Sequence, residues 1–187
     1  MRGAVVLVLM ALAGCVLPVA APVPVAANLP PGYPPKIGDI KVVLNGKTAA
    51  WETYDFSLGA FDASAQFTGA KTTPTFRMLG FPPGNPKAEV NRITMKGNGP
   101  VTGGAMTDVL IEIVAGVNWD GLRLSSSGQS ATLVLDKVTT KEPGYGHVTG
   151  HFTAHLCRAM GQPARVDGRY CQDMTGRFET DLQFDLR

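Results

Sequence analysis

Val148-Thr149-Gly150-His151-Phe152-Thr153-Ala154-His155-Leu156 and Met174-Thr175-Gly176-Arg177-Phe178-Glu179-Thr180-Asp181-Leu182 carry the reading of the fold. Both alternate with period two, the signature of a half-buried strand, and both contain Thr-Gly, then Phe, then Leu. Two copies 26 residues apart are too few for a solenoid, so they read as two paired strands of similar design. Downstream, Phe178, Thr180, Leu182, Phe184 and Leu186 point to one face, and Glu179, Asp181, Gln183 and Asp185 to the other. Upstream the same period recurs. Ile40, Val42 and Leu44 alternate with Asp39 and Lys41, and Asn45-Gly46 then gives a hairpin turn, because that pair accepts positive φ at both positions. Trp51, Tyr54 and Phe56 fall on the return strand. Phe61, Ala63, Ala65 and Phe67 predict a half-buried strand, and 75–81 and 90–96 predict two more around a Pro/Gly loop. The run 109–114 is apolar on both faces except at Glu112, which predicts a central strand; 122–124 is a short candidate and 131–139 alternates again. No segment has a helical stripe. Short strands between turn signals predict an all-β domain, a single antiparallel β-sandwich, with a β-barrel as the alternative.

Composition narrows the function classes. The 187 residues carry 17 Lys and Arg against 15 Asp and Glu, a net charge of +2, which argues against an electrostatic nucleic-acid binder. An apolar content of 44% is too high for a disordered chain, and no apolar run of membrane-spanning length follows the N-terminus.

Met1 and Arg2 precede an apolar stretch of ten residues, 4–13, which is the length of a signal-peptide core and too short to cross a bilayer. It ends in Leu12-Ala13-Gly14-Cys15, which resembles the lipobox of bacterial lipoproteins at all four positions. The resemblance covers 1–15. It implies a signal peptide over 1–14, a diacylglycerol thioether on Cys15 and cleavage before that cysteine. More than one acyl chain gives stable anchoring to a membrane. Val16, which is not Asp, implies by the same resemblance the outer membrane of a double-membraned bacterium. The alternative is an ordinary secretory signal cut near Val25-Ala26-Ala27. Seven prolines then fall within 16–36, among Val and Ala, which predicts an extended tether. The expected organisation is 1–14 signal, 15–36 anchor and linker, and 37–187 folded domain.

Export places the chain where disulfides persist, and with Cys15 lipidated the remaining pair, Cys157 and Cys171, is expected to form one bridge. If these two face each other in an antiparallel pair, facing residue numbers sum to 328. Gly150 then lies opposite Phe178 and Phe152 opposite Gly176, each ring covering a bare glycine backbone. On the other face His155 meets Asp173, His147 meets Asp181, Thr149 meets Glu179 and Thr153 meets Thr175. A slip of one residue would undo every match.

The chain's three histidines, His147, His151 and His155, share one face of that strand. Their spacing is about 13 Å between neighbours, too far for one ion, so with Asp173 and Asp181 they offer a weak metal-binding or pH-sensitive face at most, and a solvated surface is the simpler reading. No catalytic motif is present: Gly-x-Ser-x-Gly, His-Glu-x-x-His and a phosphate loop are all missing, and no catalytic residue or cofactor is assigned. Trp119, in the turn Asn118-Trp119-Asp120-Gly121, is a candidate contact aromatic. The expectation is a non-catalytic, lipid-anchored envelope protein that binds another envelope component. A small-ligand or metal-binding lipoprotein, and a hydrolase with an unrecognised triad, are the alternatives. A ligand binder would show an apolar cavity of about 300 Å³ or more. An enzyme would show a histidine within reach of both a serine and an acid.

Overall fold

The computed structural model describes residues 34–56, 63–115, 121–161 and 165–187. Cys15 and Trp119 lie outside them, as do the signal-peptide stretch and most of the tether. The described residues form eleven strands and no helix. In chain order these are β1 (Lys36–Leu44), β2 (Lys47–Tyr54), β3 (Ala65–Gly69), β4 (Thr75–Gly80), β5 (Arg92–Asn98), β6 (Gly104–Ala105), β7 (Thr107–Val114), β8 (Arg123–Ser125), β9 (Ala131–Glu142), β10 (Tyr145–Met160) and β11 (Arg165–Leu186). The all-β expectation holds.

The long hairpin β10–β11 organises the rest. Cys157 faces Cys171 and the two are disulfide-bonded. From there to His147 opposite Asp181 every facing pair sums to 328, including Gly150 with Phe178 and Phe152 with Gly176. A Cβ placed on Gly150 would sit 2.4 Å from Phe178 Cζ, and one on Gly176 would sit 2.5 Å from Phe152 Cζ. The aromatics therefore occupy the space that side chains at these glycines would need.

Both long strands change neighbours along their length. The first part of β10 pairs with β9, and residues 157–159 pair with β8 after a register shift next to the disulfide. In β11, residues 174–180 pair with β1, and residues 183–186 pair with β3. The ladder thus returns on itself through β11-β3-β4-β5-β7-β8-β10 and back to β11, with the β1–β2 hairpin and the β9–β6 pair outside this ring. The β11–β3 pairing is parallel and all others are antiparallel, so the antiparallel reading is right in the main and wrong at this one join.

Two departures from the alternating pattern lie at that join: Ser64, Ala65, Gln66 and Phe67 are all buried, and so is Gln183, where β3 runs between β11 and β4. β2 also ends at Tyr54, before Phe56, and β1 begins at Lys36.

The core lies between the β1/β11/β10/β9 layer and the β3–β8 layer. Phe76 of β4 stacks on Phe178 at 6.1 Å, and Phe67 of β3 stacks on Phe184 at 5.9 Å. Buried hydroxyls complete the polar account at irregular places. Ser64 Oγ accepts from the Tyr54 N–H at 2.8 Å and Ser126 Oγ from the Ile111 N–H at 2.9 Å. Thr53 and Thr180, both fully buried, share a hydroxyl–hydroxyl bond of 2.7 Å. Asn45 and Gly46 have φ of 47° and 76°, so the expected two-residue turn joins β1 to β2.

Candidate functional site

The outer face of the β2-β1-β11-β10-β9 layer carries most of the chain's unabsorbed polar chemistry. Alternation puts Lys41 and Val43 of β1, Thr175 and Arg177 of β11, and His151 and Thr153 of β10 on this face. The ladder then lines them up in two rows. Ala50, Lys41, Arg177 and His151 face one another across four strands, and Thr48, Val43, Thr175 and Thr153 form the next row. Between the rows runs an open groove of about 1040 Å³, with Val42, Ala49, Phe152 and Gly176 contributing to its lining.

Lys41 lies directly opposite Arg177. Like charges facing each other across a strand pair destabilise a sheet. Neither side chain makes a hydrogen bond or ion pair with any described residue, although Glu179 follows two residues after Arg177 and Asp39 precedes Lys41 by two. By contrast, the neighbouring cations are engaged. Lys36 reaches Asp39 at 2.7 Å and Glu52 at 2.9 Å, and Lys141 reaches Asp181 at 2.6 Å.

Each histidine is held by a carboxylate. His155 Nδ1 meets Asp173 at 2.7 Å, and His147 meets Asp181 at 2.9 Å and Glu179 at 3.1 Å. These are the cross-strand partners read from the sequence, apart from Glu179. His151 Nδ1 pairs with Asp136 of β9 at 2.8 Å, a partner that the sequence reading did not supply. Burial alone would raise the Asp181 carboxyl, but hydrogen bonds from Lys141 and His147 outweigh it and hold the group below its ordinary value. The three imidazoles are each hydrogen-bonded to separate acids, so they form a row of acid–histidine pairs and not one chelating set.

Two further polar clusters are structural. Burial works to raise Glu52, yet the Tyr54 hydroxyl, the Gly84 N–H and Lys36 all donate to its carboxylate and hold it below its ordinary value. Burial and the Glu52 charge push the Tyr54 phenol far up. Glu112, the most plausible acid in a central strand, is taken by Ser125 at 2.8 Å and Arg123 at 3.2 Å. Trp51, read as either a contact residue or a core residue, is buried, and its indole N–H donates to the Asn91 carbonyl at 2.6 Å.

The groove was missed by sequence reading because it is made by the β1–β11 pairing. Lys41 was already on an outward face, and only the long-range register puts Arg177 beside it. No protein-family model, curated protein or solved structure matches this chain, so its chemistry rests on its own geometry.

Proposed function

We propose that this chain is an exported, lipid-anchored, non-catalytic binding protein of a bacterial envelope, and that its outer groove takes an anionic ligand with an apolar body. The observation that carries the ligand reading is the facing pair Lys41 and Arg177, both without a counter-ion among the described residues, beside a groove of about 1040 Å³. A carboxylate or phosphate between them would relieve their repulsion and accept a two-pronged bond from the guanidinium. Thr48 and Thr175 add hydroxyls at the same edge, and Val43 and Ala49 offer apolar contact to the remainder. The cross-strand disulfide supports an oxidising compartment, and the lipobox-like 12–15 supports a lipid on Cys15 as the membrane attachment.

The ligand reading is tested by calorimetric titration with decyl phosphate below its micelle concentration, with neutral decyl maltoside as the control. Saturable binding of the phosphate alone is expected, weakened at least tenfold by Lys41→Ala or Arg177→Ala. Equal binding of both amphiphiles, or no effect of either substitution, would overturn it. Attachment is tested separately: labelled palmitate should enter the wild-type chain in cells and not Cys15→Ala.

A further inference from the structure

We propose that, once the Cys157–Cys171 bond is reduced, the two thiolates and the His155 imidazole hold one zinc-type ion, with Asp173 fixing the imidazole from behind. The site is distinct from the histidine row as a whole, since it uses one histidine and not three. His155 and Cys157 are two apart on β10, and Asp173 and Cys171 are two apart on β11, so all four fall on one face as a two-by-two patch. One ligand atom from each of His155, Cys157 and Cys171 can be chosen so that all lie within 4.8 Å of one another.

A tetrahedral ion with bonds of about 2.0–2.3 Å needs donors about 3.4–3.8 Å apart. From the 4.8 Å bound, the His155 side chain would have to close by about an ångström. The sulfurs move the other way, from bonded contact outward to the same spacing. Cys157 is buried while His155 and Cys171 are half-buried, so the ion would enter from the solvent side, past the exposed Asp173. The Asp173 carboxylate holds His155 Nδ1 at 2.7 Å, which leaves Nε2 for the metal. This carboxylate–histidine arrangement orients the ring and raises its basicity as a ligand. Two thiolates and one imidazole favour zinc or another thiophilic ion over calcium or magnesium, and the fourth position stays open to water.

The step balances simply. A dithiol reductant gives two electrons and two protons to the S–S bond and departs as a disulfide. Metal entry then releases the two thiol protons. A disulfide oxidant that takes the two electrons, and leaves as its dithiol with two protons from solvent, re-forms the Cys157–Cys171 bond and releases the ion, so occupancy would follow the dithiol–disulfide balance of the compartment.

The full chain, reduced with a phosphine under nitrogen and freed of reductant, is titrated with Co²⁺. The expected result is one equivalent bound, with an intense near-ultraviolet thiolate-to-cobalt band and tetrahedral visible bands, both displaced by Zn²⁺. The oxidised chain should show neither. His155→Ala should lower affinity at least tenfold, and Asp173→Asn by about ten- to a hundredfold with the thiolate band kept. Absence of the thiolate band in the reduced chain would overturn the proposal. So would a band with unchanged affinity in His155→Ala, or a loss of sheet circular dichroism on reduction that metal does not restore.

Discussion

Lys41 and Arg177 pose opposite demands on the same two side chains. Their facing positions cost stability in the free protein, and in the proposed function they would supply the attraction for the anion. Lys41→Ala should therefore raise the unfolding free energy by a few tenths to about 1 kcal/mol, read as a higher urea midpoint, while decyl phosphate binding falls. A midpoint that drops together with binding would mean that Lys41 is a structural residue. The Thr53–Thr180 bond behaves in the reverse sense. Thr180→Val strands the fully buried Thr53 hydroxyl at a cost of about 1–3 kcal/mol, whereas Thr53→Val costs less because the Thr180 hydroxyl keeps its bond to the Asp181 carbonyl at 3.0 Å; the double change should recover much of the Thr180→Val loss. A double-mutant cycle from denaturation midpoints measures this coupling. At this scale the sequence was readable where neighbours are set by one hairpin: Phe178 over Gly150, His155 beside Asp173. It was not readable at Asp136, whose approach to His151 depends on the register shift between Thr149 and Gly150 in the β9–β10 pair.

The hairpin of β10 and β11 is over-determined, which is why its register could be derived. Disulfide, aromatic–glycine contacts and acid–histidine pairs all require the same alignment. Gly150→Ala should destabilise the fold by at least about 1–3 kcal/mol, because the new methyl meets both Phe178 Cζ at 2.4 Å and the Val134 carbonyl at 2.5 Å, and only the ring can yield. Thermal melts of this variant against an Ala substitution at exposed Thr153 check it. Reducing the Cys157–Cys171 bond in the absence of metal should cost about 3 kcal/mol by the chain-entropy argument for a loop of this size, read as a lower urea midpoint in dithiothreitol. Other elements escaped the sequence for definite reasons. β6 is two residues long and has no period to detect. β3 is buried on both faces although its polar Gln66 gives the opposite impression.

Acid sensitivity belongs to the whole molecule, since Glu52 joins β2 to Lys36 and to the Gly84 turn beyond β4. Its carboxyl is held below the ordinary value of 4.5, so the folded state prefers it ionised. That stabilisation is full above about pH 4.5 and is lost as pH falls through the folded value; Asp181 acts in the same direction. Urea midpoints at pH 7 and pH 3 should therefore differ more in the wild type than in Glu52→Gln. An equal difference would show that the acid loss comes from elsewhere. The class of the fold was legible, because period two runs through the chain. Its closure was not, because the parallel join of β11 to β3 links residues 183–186 to residues 66–69 and leaves no local mark. The join also imposes a timetable. A chain made from its beginning holds the residues of β3 long before their partner exists, and the ring can shut only when residues 183–186 arrive, so closure is the last pairing open to the growing chain.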